Sequence, residues 1–210
     1  FYDDKSLKIH KQKIINKYKL IEKPLLLDPK TIILSFVGRL TKSKNLNLLI
    51  RLLKADNASN IKLWIIGKGP EEENLKNYAL HLGVYKNIHF FGEIYNQEEV
   101  NSILSASDIF ACPRNLGLSI CNALSAGIPV ITTNNPKLQM PEYETIRNFE
   151  YADFIDFEDT DGLLQKINFT FKKVSADFES RYKIVNHFQN SFDPSKHAGR
   201  IFDSISELIE

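Results

Sequence analysis

Thr31-Ile32-Ile33-Leu34-Ser35-Phe36-Val37-Gly38-Arg39-Leu40-Thr41-Lys42-Ser43-Lys44 joins a nearly continuous apolar run to a glycine and a cluster of cations. Such a run suits a strand buried on both faces, as in a parallel sheet. After it, Leu46, Leu49, Ile50 and Leu53 recur at helical spacing and predict an amphipathic helix over 44–55. The same alternation then repeats. Ile61-Lys62-Leu63-Trp64-Ile65-Ile66 reads as a second buried strand, and Leu75, Tyr78, Ala79 and Leu82 mark a helix that stops at Gly83. Ile88 to Phe91 is a third strand, 97–105 a helix, and Asp108 to Cys112 a fourth strand. Residues 117–126 follow as a helix closed by Gly127, then Pro129 to Thr132 as a fifth strand, with a weaker sixth at 152–155.

Strands alternating with helices in this rhythm imply repeated βαβ units. Their crossovers are right-handed, so the expected fold class is α/β: a three-layer, doubly wound parallel sheet of Rossmann-like type. Ligands of such sheets bind beyond the carboxyl ends of the strands, where the strand order reverses. That rule directs attention to the loops after the five main strands.

A chain of 210 residues holds one full domain with added segments. The division expected is an N-terminal helix and linker at 1–30, a Rossmann-like α/β domain at 31–172, and a helical tail at 173–210. Leu163, Leu164, Ile167 and Phe171 share one helical face ahead of that tail, and Ala198, Ile201, Phe202, Ile205 and Leu208 share another within it after Asp193-Pro194. The start, Phe1-Tyr2-Asp3-Asp4-Lys5, has no initiator Met and no signal-peptide pattern, and reads as part of a longer protein. The apolar fraction is 43% and the net charge +1, which gives no pointer to nucleic acid or an anionic membrane. No apolar run approaches the ~20 residues of a membrane span. The lysines between Lys5 and Lys19 read as a solvated helix face, with peripheral membrane contact the alternative. The two cysteines, Cys112 and Cys121, lack metal-ligand spacing and read as free buried thiols of a reducing compartment, which places the protein in the cytoplasm.

The first loop sets Arg39 and Lys44 five residues apart between a strand end and a helix start. There Arg can fork onto phosphate oxygens, Lys adds a point charge and the helix dipole helps; a solvated basic loop is the plainer reading. The second loop, Gly67-Lys68-Gly69-Pro70, is half a dinucleotide fingerprint. No acid follows about twenty residues on, where Asn87 stands, so a nicotinamide cofactor is excluded. Its glycines suit a tight turn and the close approach of a ligand. The third loop, Gly92-Glu93-Ile94-Tyr95, offers backbone groups to a nucleobase edge or is an ordinary turn. The fourth runs Pro113-Arg114-Asn115-Leu116-Gly117-Leu118-Ser119-Ile120-Cys121-Asn122 into a helix. Gly117 admits a ligand to the backbone, and the amides of Gly117, Leu118 and Ser119 are expected to face an anion. Asn122 lies one turn further in, within reach of a sugar hydroxyl, and Asn115 can cap the helix.

Together these residues resemble the C-terminal domain of the nucleotide-sugar-dependent, retaining glycosyltransferases of GT-B fold (glycosyl transferases group 1). The matching pattern is Gly38-Arg39-Leu40 with Lys44, then Gly67 to Pro70, then Phe90-Phe91-Gly92, then Ala106, Asp108 and Pro113, then Gly117 to Val130. It spans roughly residues 31–146. Many members carry two glutamates eight positions apart around the last helix. Here those positions hold Arg114 and Asn122, and the stretch from Asn134-Asn135 to Gln139-Met140-Pro141-Glu142-Tyr143-Glu144 is similar to a subgroup of bacterial surface-polysaccharide transferases. The resemblance implies a donor-binding domain for a UDP- or GDP-sugar. Arg39, Lys44 and the 117–119 amides would hold the diphosphate, with Gly38, Gly67, Ile94, Arg114, Asn115 and Asn122 nearby. It implies no cofactor and no metal, and no Asp-x-Asp motif is present. It also implies a glycan or lipid-linked acceptor bound by a preceding domain, and a cytoplasmic protein, at most peripheral at the inner membrane face. A nucleotide-sugar epimerase of the same fold and a non-catalytic domain are the rival readings.

Overall fold

The computed structural model describes residues 4–18, 30–175 and 178–191. Among these residues six parallel strands form one sheet in the order β3-β2-β1-β4-β5-β6. They are β1 (Ile32–Val37), β2 (Ile61–Ile66), β3 (Ile88–Gly92), β4 (Ile109–Cys112), β5 (Val130–Thr133) and β6 (Ala152–Ile155). All six expected strands are present, each within a residue or so of the expected bounds. The all-parallel α/β sheet explains the near-continuous apolar runs: β1, β4 and β5 are covered on both faces.

Among the described residues seven helices accompany the sheet: α1 (Asp4–Tyr18), α2 (Asn47–Leu52), α3 (Glu72–His81), α4 (Gln97–Ser105), α5 (Ser119–Ser125), α6 (Thr160–Ser175) and α7 (Phe178–Ser191). α2 packs on α3 and α4 on α5, and the latter pair is extended by α1 against α4 and α7 against α5. Right-handed crossovers put these two groups on opposite faces. The α6 helix buries Leu163, Leu164 and Ile167 and runs on through residue 175. The apolar face at 198–208 and the Asp193-Pro194 start lie outside the described residues, as do Lys19 and the prolines at 24 and 29. No helix among the described residues is long and apolar enough to cross a membrane.

Two helices begin later than the spacing predicts. The 44–55 pattern opens as a 3-10 turn at Lys42–Lys44, ended by Asn45 in the left-handed region (φ 51°), and the α-helix proper starts at Asn47. Lys44 therefore lies before the helix, in the 3-10 turn, rather than within its first turn. The 117–126 pattern becomes α-helical only at Ser119, with Leu118 at the N-cap position. Asn115 lies three residues before that cap, also at φ 51°, so the expectation that it caps the helix is corrected.

Asp108 explains why an acid opens β4. Its carboxylate accepts the Ile33 amide at 2.7 Å and the Lys11 ammonium at 2.7 and 3.0 Å. It thus pins both α1 and β1 to the amino end of the sheet. On α1, Lys17 pairs with Glu99 of α4. Of the lysines read as a solvated face, Lys11 is therefore committed to packing α1, while Lys17 stays largely exposed.

Candidate functional site

The strand order reverses between β1 and β4. Crevices for ligands form at such a point, beyond the carboxyl ends of the strands. The loops bordering it are 38–46 and 113–118.

The first border is held by a backbone zipper. Gly38 N donates to Ile66 O at 3.0 Å, Leu40 N to Lys68 O at 3.0 Å, Glu71 N to Leu40 O at 3.1 Å and Gly67 N to Gly92 O at 2.7 Å. The loops after β1, β2 and β3 are thereby joined. Gly67 adopts φ +133°, and a Cβ there would lie 2.0 Å from Gly38 O; one at Gly69 would lie 2.2 Å from Leu40 O. The sequence suggested that these glycines admit a ligand. The structure corrects this: a neighbouring loop fills the space. Gly67 is a packing residue that holds Gly38 and Arg39 in place. Leu40 is fully buried, while Arg39 beside it is exposed, and among the described residues its guanidinium engages no partner.

Lys44 crosses the crevice. Its ammonium donates to the backbone carbonyl of Asn115, in the loop after β4. One predicted cation therefore reaches the predicted turn, although the two are 71 positions apart in the chain. In that turn Asn115 N donates to Leu138 O at 2.6 Å and Leu116 N to Gln139 Oε1 at 3.0 Å. The amides of Gly117, Leu118 and Ser119 take no part in the hydrogen bonds among the described residues. Free amides followed by a helix, beside an ammonium, form an anion-receptive surface. Leu118 is exposed, and Met140 Cγ would stand 3.8 Å from a Cβ on Gly117.

The remaining candidates are placed differently. Arg114 sits 3.8 Å from a Glu158 oxygen, and the other Glu158 oxygen takes Arg51 at 2.8 Å. This shared, solvated pairing is weak, so the guanidinium is only partly neutralised. Asn122 accepts a hydrogen bond from Gln97 Nε2 at 2.9 Å, which ties α5 to α4. Ile94 is half-buried against the core, and the adjacent Tyr95 is exposed.

Gln139 is the residue that sequence reading missed. Its Nε2 donates to Thr132 Oγ1 at 2.8 Å and to Thr133 O at 3.1 Å while its Oε1 holds the Leu116 amide. Thr132 Oγ1 in turn donates to Cys112 O at 2.7 Å. No spacing rule marks a lone Gln in a loop; its role exists only once β4 and β5 lie side by side.

The thiols differ from each other. Burial pushes Cys112 up to about 12, against a smaller opposing effect of the Lys44 charge. Cys121, expected to be buried, is half-buried on α5, and its thiol is raised by burial first and by the Glu142 charge second. In the folded chain at pH 8, Cys112 should stay unmodified by iodoacetamide for hours, and should react once guanidinium exposes it. Peptide mapping of the alkylated protein reads this. Rapid native labelling at Cys112 would show that β4 is not closed as described.

The six-stranded, doubly wound parallel sheet, with these groups beside its switch point, defines an α/β domain of Rossmann-like type. Residues 17–183 match the family model described as glycosyl transferases group 1, and the chain belongs to that family. It is 27% identical over 176 residues to the lipopolysaccharide core biosynthesis glycosyltransferase LpsE of Rhizobium meliloti, covering 82% of this chain and 48% of the relative. It is 30% identical over 102 residues to the O-antigen biosynthesis glycosyltransferase WclY of Escherichia coli, covering 47% of this chain and 28% of the relative. The chain thus spans about half the length, or less, of these relatives. Among solved structures, HepE of Anabaena in complex with UDP and glucose superposes with a TM-score of 0.71 at 15% identity, over 98% of this chain and 55% of that one. The pneumococcal O-GlcNAc transferase GtfA in complex with UDP and GlcNAc gives 0.62 at 16% identity, over 86% and 36%. At such identities these two likenesses speak for the fold.

Proposed function

We propose that this chain is the donor-binding part of a group 1 glycosyltransferase, which holds a UDP- or GDP-sugar by its diphosphate. The observation that carries the reading is the Lys44 ammonium on the Asn115 carbonyl, at the edge of the free 117–119 amides. The relatives support it, since they are named for lipopolysaccharide core and O-antigen biosynthesis, and two fold neighbours were solved with UDP. The acceptor in this reading is a glycan or lipid-linked glycan of a surface polysaccharide, held by a part of the protein beyond this domain.

The costly step is departure of the sugar from the nucleoside diphosphate. Negative charge builds on the leaving phosphate oxygens as the glycosidic bond lengthens. Fixed cations and backbone amides aimed at that charge bind the transition state more tightly than the ground state. Arg39 supplies a planar fork, Lys44 a point charge, and Gly117, Leu118 and Ser119 the backbone donors. Arg114, released from Glu158, adds positive charge at the same mouth. No residue of this chain is given the acceptor's proton, and the isolated chain is expected to bind nucleotide with negligible sugar transfer.

Calorimetric titration of the chain with UDP and with GDP tests the proposal. One of them should bind, and Lys44→Met should weaken that binding by about 10- to 100-fold, the worth of a charge-assisted phosphate contact. Heat signals absent for both nucleotides, in a chain that is folded by circular dichroism, would remove the donor-site reading.

A further inference from the structure

Two consecutive amides of the turn after β4 are met by two consecutive residues of the loop after β5. Asn115 N donates to Leu138 O at 2.6 Å, and Leu116 N to the Gln139 side chain at 3.0 Å. That loop is itself tied by hydrogen bonds. A 3-10 turn at Pro136–Leu138 is capped by the Asn135 side chain, which accepts the Lys137 amide at 3.1 Å. Gln139 follows in extended conformation and is anchored on the end of β5 through Thr132 Oγ1 and Thr133 O. Its carboxamide therefore spans from β5 to the β4 turn with all three of its bonds between 2.8 and 3.1 Å.

The consequence reaches the cation. Asn115 sits in the left-handed region, φ 51°, which Asn and Gly adopt readily and β-branched residues resist. With its amide fixed by Leu138, that conformation sets the direction of its carbonyl, and the carbonyl holds the Lys44 ammonium. The amides of Gly117, Leu118 and Ser119, beyond the Leu116 amide that Gln139 holds, have no partner in the turn and remain available.

We propose that Gln139 is a positioning residue of the donor site: its carboxamide braces the 115–119 turn against β5, so that the Asn115 carbonyl presents Lys44 at the diphosphate position. The inference rests on the donor-site reading above and adds the device that aims it. Gln139 acts through Lys44 and needs no contact with the ligand.

A binding cycle decides the matter. UDP and GDP affinities are measured for the chain and for Lys44→Met, Gln139→Ala and the double variant. Gln139→Ala alone should weaken binding by about tenfold, and Lys44→Met should then cost less than about threefold more, because residues in one network do not add. A residue that merely supported the fold would leave the full cost of Lys44→Met intact in the Gln139→Ala background. Multiplying losses, or a silent Gln139→Ala, would overturn the inference. The Asn115 pair gives a second arm should Gln139→Ala fail to fold. Asn115→Gly keeps the left-handed backbone and should retain the dependence on Lys44, whereas Asn115→Val should lose it; equal dependence in both would also overturn the inference. Failure of the wild-type chain to bind either nucleotide defeats the donor-site reading itself, while binding with an additive cycle defeats only the role of Gln139.

Discussion

Gly67→Ala should lower the free energy of unfolding by about 4 kcal/mol or more, in the range reserved for substitutions that break a specific backbone arrangement. Two costs combine. At φ +133° an L side chain is strained wherever it sits. The added Cβ would also fall 2.0 Å from Gly38 O, a backbone atom held by the Gly38–Ile66 hydrogen bond. Neither loop can yield without unzipping the contacts among the loops after β1, β2 and β3. Gly83 is the internal control. It too has positive φ, at +71°, but a Cβ there meets nothing within 4 Å. Gly83→Ala should therefore cost only about 1–2 kcal/mol, the left-handed penalty alone. Urea denaturation of both variants reads the difference. A Gly67→Ala midpoint close to that of Gly83→Ala would mean that the two loops do not touch as described. The functional effect should follow the structural one, because Gly38 and Arg39 belong to the loop that Gly67 holds.

Asp108→Ala should cost about 3–5 kcal/mol, the loss expected when one partner of a largely buried charge pair is removed. The deletion strands two groups at once. Lys11 is left with a mostly buried ammonium, and Ile33, itself about 1% exposed, loses the acceptor of its amide. Asp108→Asn retains one carbonyl acceptor for the Ile33 amide and surrenders the charge, so it should fall between wild type and Asp108→Ala. Thermal unfolding of the three proteins gives the order. If the alanine variant unfolded with the wild type, Asp108 would not be the anchor of α1 and β1. Nucleotide affinity should be little changed in whatever fraction stays folded, because Asp108 stands at the amino end of the sheet and the crevice at the carboxyl end. The acid at the start of β4 is thereby separated from the cations of the site, although both belong to the same family pattern.

The strands and most helices were legible because their signals are local. Ile32 to Val37 and Ile61 to Ile66 are apolar along their length since both faces of a central parallel strand are covered. Gly83 stops α3 at φ +71° because a helix end needs a left-handed residue, a demand that involves only its neighbours. Where local reading slipped, the competing force came from elsewhere in the chain. The helix after β4 opens only at Ser119, behind a turn whose Asn115 and Leu116 amides are held by Leu138 and Gln139. The chain after β1 turns through a 3-10 segment with Lys44 committed to Asn115, and the helix follows it.

Periodicity and glycine placement were sufficient to specify a doubly wound α/β sheet and which loops stand at the carboxyl ends of its strands, because burial on two faces and helix termination are written in adjacent residues. Which groups meet there was settled in three dimensions. Gly67 faces the Gly38 carbonyl, Lys44 faces Asn115, and Gln139 bridges two strand ends, in each case across tens of positions of chain. Such pairings arise from strand order and loop packing, and strand order depends on the free energy of the whole sheet, which no short stretch of residues contains.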